Sequence, residues 1–181
     1  MTTLDSKQIQ ISSAIDLFSK GKINQALEAV QGLLKDYPNE PVLFNIRGAC
    51  FAELGQLDVA VTNYKEAISI KPDYAKAHFN LAGSLHDLGQ LKAAVKSYKK
   101  TLEIEPNYAE AYNNLGNVFQ ELKQGDSAIQ SYKRALEIKP DYVAAQYSLG
   151  NTFMELGQLN EAVKSYKAAL KLKPDFVEAI N

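Results

Sequence analysis

Apolar residues return along this chain in steps of three and four, and the pattern of those steps itself returns every 34 residues. Leu149, Gly150 and Phe153 keep the spacing of one helix face, with Leu156 one turn on. Gly157-Gln158 breaks the run. Leu159, Ala162, Val163, Tyr166, Ala169 and Leu170 then form a second stripe on one helix face. Lys173-Pro174 ends it, because the residue before proline avoids the α region. Each unit therefore predicts helix, tight turn, helix, proline turn. No β-branched alternation interrupts the pattern, so no strand is predicted.

The repeat is carried by columns rather than by any single residue. Pro38, Pro72, Pro106, Pro140 and Pro174 stand 34 residues apart, and only Pro41 lies off this ladder. Ala26, Ala60, Ala94, Ala128 and Ala162 keep the same step, as do the small residues Ala14, Gly48, Ala82, Gly116 and Gly150. Leu17, Phe51, Leu85, Phe119 and Phe153 form a bulky column. Val30, Tyr64, Tyr98, Tyr132 and Tyr166 form another, and Leu33, Ala67, Thr101, Ala135 and Ala169 a mostly small one. Where two helices cross closely, a Gly or Ala lets the backbones approach and a large neighbour fill the gap. Gly116 beside Ala128 and Phe119 reads as such a crossing. Asp175 with Glu178, and Asn107 with Glu110, have the spacing of capping boxes. One hairpin leaves an apolar face uncovered and must stack on the next, which predicts a solenoid.

Leu115-Gly116-x-x-Phe119 followed by Ala128, Tyr132, Ala135 and Pro140 resembles the tetratricopeptide repeat signature, over roughly residues 7 to 176. The resemblance implies an all-α fold, a right-handed α-solenoid of antiparallel helix-turn-helix hairpins. The 34-residue step divides it into a tail at 1–6, a degenerate first repeat at 7–40, further repeats at 41–74, 75–108, 109–142 and 143–176, and the start of a sixth at 177–181. The first repeat is degenerate because Ser13, Lys20 and Val30 replace the Leu (or Arg47), Leu and Tyr of later units. In the fourth, Lys123-Gln124-Gly125 replaces the pattern of Gly55-Gln56-Leu57, which predicts a local shift of that turn. Val177–Asn181 opens a sixth unit without a capping helix, so a segment of a longer protein is expected. Otherwise Tyr166, Leu170 or Leu172 is left bare, and a homo-oligomer through the uncapped C-terminal hairpin would cover it.

Charge adds exclusions. Lys and Arg total 20 against 21 Asp and Glu, a net charge of −1. No basic excess draws the chain to nucleic acid or an anionic membrane. No apolar run of ~18 residues spans a bilayer. No signal peptide is visible either, and with Cys50 the lone cysteine the expected location is cytoplasmic. His78 and His86 are eight residues apart, not the i, i+4 pair of a helical metal site. Cys50 reads as a small hydrophobe inside a helix. No phosphate-binding glycine loop or nucleophile elbow is present. No enzyme, cofactor or metal is expected within these residues. Tyr74, Tyr108 and Tyr142, with Phe176 in register, are expected to pack at the joints between repeats.

By the same resemblance, the first helix of each hairpin lines a concave groove. Its solvent-facing stripe holds Asn45, Ala49 and Glu53; Lys76, Phe79, Gly83 and Asp87; Glu110, Asn113, Asn117 and Glu121; and Tyr147, Asn151 and Glu155, with Asn80 and Asn114 beside it. Amides both donate and accept, as a peptide backbone does, so a row of them suits an extended peptide. The plainer reading is that they bond locally or to water. The row is incomplete, since Ser12, Ile46 and Ser148 share the column of Asn80 and Asn114. Glu53, Asp87, Glu121 and Glu155 form an acidic column near helix C-termini, where negative charge is disfavoured. Pairing with neighbouring lysines is one account, and a groove for basic or amide-rich ligands the other. Relatives that hold heat-shock chaperone tails use a clamp of groove lysines, an arginine and asparagines. That clamp is not assembled here, with Lys76 the main groove cation and Arg47 in an apolar column. The lysines of the second helices read as a solvated outer face. The stretch Ala111–Asn117 also resembles the repeats preceding the catalytic part of O-linked N-acetylglucosamine transferases and of bacterial multi-repeat proteins. The expected function is a protein- or peptide-binding scaffold, with the recognition region of a larger transferase or a self-assembly module as alternatives.

Overall fold

The computed structural model describes residues 3–174. Its elements are helices α1 (Thr3–Ser19), α2 (Ile23–Asp36), α3 (Pro41–Glu53), α4 (Leu57–Ile70), α5 (Ala75–Asp87), α6 (Leu91–Ile104), α7 (Ala109–Glu121), α8 (Gly125–Ile138), α9 (Val143–Glu155) and α10 (Leu159–Leu172). There is no strand among the described residues, and the fold is all-α. α1 opens at Thr3, earlier than the start at residue 7 taken from the repeat step. Asp175, Phe176 and Glu178 lie outside the described residues.

Two compact units form, one spanning residues 1–93 and the other beginning at Ala94. In the first, α1 packs on α2, α2 on α3, α3 on α4 and α4 on α5, and the first helices α1, α3 and α5 touch in sequence. In the second, α7–α8 and α9–α10 pair as hairpins, α8 packs on α9, and α7 meets α9. The columns explain the pairing. Ala26, Ala60, Ala94, Ala128 and Ala162 are all fully buried. The small column seats the tyrosines. A Cβ on Gly116 would fall 2.5 Å from Cε1 of Tyr132, and one on Gly150 2.6 Å from the same atom of Tyr166. The glycine costs roughly 1 kcal/mol of helix propensity, and burying the ring returns roughly 1.5–3 kcal/mol. The core of the first unit gathers Ile11, Ala14, Ala26, Val30, Leu33, Leu43, Ile46 and Cys50. That of the second gathers Ala128, Ile129, Tyr132, Leu149, Phe153 and Ala162.

Two local expectations are corrected. The turn before α8 does not shift. Lys123 takes the positive φ, 58°, that Gly21, Gly55, Gly89 and Gly157 take in the other hairpins. Lys123 N–H donates to Gln120 O at 2.9 Å and Gln124 N–H to Phe119 O at 2.8 Å, the pattern of Gly55 and Gln56. Packing of the two helices fixes their register, so the turn must close whichever residue occupies it. The capping box of Asn107 and Glu110 does not form either. Tyr108 is the N-cap of α7 and no side chain caps it. The helix begins one residue later than the box needs, and Glu110 faces Lys139 at 3.7 Å instead.

Candidate functional site

In the first unit, α1, α3, α4 and α5 enclose a cleft of about 430 Å³. Asn45, Glu53, Lys76 and Asn80, each expected from sequence to line a groove, meet there. Asn80 Nδ2 donates to Asn45 Oδ1 at 3.0 Å, tying α5 to α3 across 35 residues of chain. Lys76 stands in the first turn of α5 and Glu53 in the last turn of α3. Between these polar groups the lining is apolar, with Ile15, Phe18, Val42, Ile46, Ala49 and Ala52. Ala49 stood on the expected stripe, but the other apolar members were missed as site residues, because a stripe of Val, Ile and Ala at helical spacing reads as core. The one usable signal was Ile46, an apolar residue in the column of Asn80 and Asn114. Lys76 Nζ stands 5.2 Å from the Phe79 ring centroid. Phe79 and Asp87 are not part of this cleft.

Two residues placed on the solvent-facing stripe are instead buried, Asn45 at 7% exposed and Asn113 at 5%. Asn45 meets the neighbouring first helix, α5, through Asn80. Asn113 Nδ2 donates to Asn114 Oδ1 at 3.2 Å. Asn113 Oδ1 is buried with no partner. In α3 the same position is satisfied by Asn80, whereas the residue 35 beyond Asn113 is Ser148.

The second unit uses its asparagines differently. Tyr132 Oη donates to Asn117 Oδ1 at 2.8 Å, with Gln120 Oε1 at 3.2 Å. Tyr166 Oη donates to Asn151 Oδ1 at 2.8 Å. Each tyrosine thus fixes its amide, oxygen toward the hydroxyl and Nδ2 away from it. Burial raises the pKa of Tyr132 well above the usual phenol range, and raises that of Tyr166 too. Tyr147 stands by the Tyr166 ring, centroids 5.9 Å apart. The sequence held a trace of this lock, since Asn117 and Asn151 each stand fifteen residues before their tyrosine.

The acidic column stays on the surface, with Glu53, Asp87, Glu121 and Glu155 exposed. Glu53, Asp87 and Glu155 take part in no ion pair among the described residues, so lysine pairing does not account for them. One lysine in each of α6 and α10 pairs within its own helix, Lys100 with Glu103 at 2.9 Å and Lys164 with Glu161 at 2.8 Å. Glu155 Oε1 accepts from Gln120 Nε2 at 2.9 Å. Cys50 is fully buried, and desolvation pushes its thiol up. His78 Nε2 lies 3.0 Å from Pro72 O. Among the described residues no cluster of His, Cys, Asp and Glu could hold a metal, and no helix is long and apolar enough to cross a membrane. At the last hairpin Leu172 is exposed, while Tyr166 and Leu170 are half-buried.

The family profile described as TPR repeat matches residues 48–89, 83–123 and 150–181, and that of the tetratricopeptide repeat matches 109–142. The peroxisomal targeting signal receptor of Saccharomyces cerevisiae is 26% identical over 84 residues, 46% of this chain and 14% of the receptor. The small glutamine-rich tetratricopeptide repeat-containing protein 2 of Mycosarcoma maydis is 38% identical over 60 residues, 33% of this chain and 17% of that protein. The chain therefore spans under a fifth of the curated relatives it matches. Among solved structures, MamA superposes with a TM-score of 0.82 at 25% identity, covering 91% of this chain and 96% of MamA. PilF of Pseudomonas aeruginosa gives 0.86 at 15% identity, over 92% of this chain and 76% of its own, a likeness of fold. The architecture shared with them is the α-solenoid of helical hairpins.

Proposed function

The chain belongs to the tetratricopeptide repeat family, and on that premise we propose that it is a scaffold that binds an extended peptide through the cleft between α1, α3 and α5. One observation carries the reading: four side chains singled out from sequence converge on a single cleft of about 430 Å³. Its floor suits one aliphatic or aromatic side chain of the ligand. The linked amides of Asn45 and Asn80 offer a fixed donor and acceptor at its side, which matches a peptide backbone rather than any one side chain. Lys76 and Glu53, in opposite terminal turns of neighbouring first helices, favour a ligand with an acid and a base set apart along its length. Binding of a targeting signal by the yeast relative is the same class of interaction. In the second unit, the amides of Asn117 and Asn151 keep Nδ2 available as donors toward ligand carbonyls.

The test is selection of peptides from a randomised display library on the whole chain, followed by fluorescence anisotropy of the selected sequence. Asn80→Ala raises Kd about tenfold, equivalent to ~1.4 kcal/mol, and Glu53→Lys changes which charge the ligand prefers. Unchanged affinity in both variants, with thermal unfolding as in the parent, removes the cleft as the site.

A further inference from the structure

The second unit has another concavity, on the side built by its second helices. It measures about 590 Å³ and lies between α6, α7 and α8. Leu102, Leu115 and Phe119 form its apolar floor, Tyr112 stands beside them, and Lys99 and Arg134 bring positive charge to it. We propose that this outer cleft is a second binding site, for an acidic peptide segment bearing one aliphatic or aromatic residue. That residue sits on Leu115 and Phe119, and the segment's carboxylates meet Lys99 and Arg134. The site shares no residue with the cleft of the first unit and does not depend on it.

The charges are placed for exchange. Lys99 Nζ stands 5.9 Å from the Phe119 ring centroid and takes part in no ion pair among the described residues. Arg134 holds Glu137 at 2.6 Å, an exposed pair within one helix. Such pairs contribute little, so a ligand carboxylate can replace Glu137 on the planar guanidinium. The one acid in the lining, Glu103, is already paired with Lys100. Charge complementarity therefore selects an acidic ligand. The repeat itself supplies part of this site, since Lys133 Nζ stands 5.9 Å from the Phe153 ring centroid one unit on. Arg134 is what sets this unit apart, with Glu66 at its position two repeats earlier and Ala168 one repeat later. Two repeats earlier, Gln31 also stands for Lys99 and Arg47 for Leu115. There the Arg47 guanidinium donates to Asn63 and lies 4.9 Å from the Phe44 ring centroid, so the floor is polar and occupied.

Fluorescence anisotropy on the whole chain tests the proposal. The probe is a short fluorescein-labelled peptide of glutamates around one phenylalanine, with its all-glutamine analogue as the uncharged version. The acidic probe binds, the glutamine analogue binds at least about tenfold more weakly, and added salt weakens the acidic complex. Lys99→Glu with Arg134→Gln also costs about tenfold, and Asn80→Ala costs nothing. Arg134→Gln alone, changing one exposed side chain, gives a smaller loss in the same direction and serves if the double variant fails to fold. Equal binding of both probes, unchanged affinity in folded variants, or loss of binding in Asn80→Ala overturns the site. Displacement of the probe by a single-stranded oligothymidylate overturns the peptide assignment in favour of a general polyanion surface.

Discussion

The first helices of the two units solve one position in opposite ways. In the first unit, Ala49 stands fifteen residues before Tyr64 and leaves open space, part of the apolar cleft. In the second, Asn117 and Asn151 stand fifteen residues before Tyr132 and Tyr166 and accept their hydroxyl protons. The Tyr64 hydroxyl meets Ser84 on the next first helix, as that of Tyr132 meets Ser148 and Thr152, so the added amide is what separates the two sites. From the second repeat on, the repeat thus supplies a tyrosine, and the residue facing it decides between an open apolar cleft and an internal polar lock. Family resemblance alone treats all groove positions as one surface, and the comparison shows that they are not.

The largest break falls on the second unit alone. Gly116→Ala forces a Cβ to 2.5 Å from Cε1 and 2.7 Å from Cδ1 of Tyr132, whose ring is fully buried. Overpacking of this kind costs about 1–3 kcal/mol, more than the propensity gained. The thermal midpoint falls by several degrees, and amide exchange rises in α7 and α8 before α3 and α4. Gly32→Ala is the control. No atom lies within 4 Å of its Cβ site, so the same substitution in α2 stabilises by about 0.5–1 kcal/mol.

The lock itself comes next. Tyr132→Phe removes the hydroxyl that orders Asn117 and leaves its buried side unsatisfied, a loss of about 1–2 kcal/mol. The hydroxyl also gives the fold a pH limit. Burial raises the Tyr132 and Tyr64 pKa values above the unfolded value of about 10. The folded state then keeps protons that the unfolded chain sheds, so stability is intact below about pH 10 and falls as pH rises past it. In denaturant titrations Tyr132→Phe makes that fall shallower. An unchanged slope means that Tyr132 has no part in it.

A smaller effect follows from the turn before α8. Lys123 holds φ at 58°, where an L residue carries roughly 1 kcal/mol of strain. Lys123→Gly removes it and stabilises by about that amount, read as a higher urea midpoint with the same m-value. No gain would show that the lysine side chain offsets the strain by contacts of its own.

Much of the fold was legible because burial writes it in columns. Five alanines at one step are all buried, and glycines precede tyrosines at the distance of a hairpin. What was not legible turns on single residues. A helix start displaced by one position removed the capping box of Asn107 and Glu110, and such shifts lie below what propensity resolves. The Lys123 turn looked displaced because local preference was weighed without the helix packing that overrides it. For the candidate cleft, residue type alone pointed to Asn80, Lys76 and Glu53. Asn45 and Asn113 were misplaced because a groove stripe and a helix–helix seam differ by little more than 100° around one helix. The outer cleft was read as a solvated lysine face, since its floor of Leu115 and Phe119 belongs to columns that also serve the core.

Ala49→Asn sharpens the comparison with the least expected energy. It installs in α3 the residue that the second unit already carries, opposite the buried Tyr64 ring. Two acceptors then compete for one hydroxyl proton, Ser84 and the new amide, so the gain is at most about 0.5 kcal/mol. The amide also enters the apolar cleft, where it takes the place of a ligand side chain and brings a group that must be desolvated. Stability therefore holds or rises slightly while peptide affinity falls. The reciprocal change, Asn117→Ala, lowers stability by about 1 kcal/mol and frees the Tyr132 hydroxyl to face the first-helix side. If Ala49→Asn leaves peptide affinity untouched, the cleft under Tyr64 is a packing defect rather than a seat for a ligand, and the contrast between the two units carries no function.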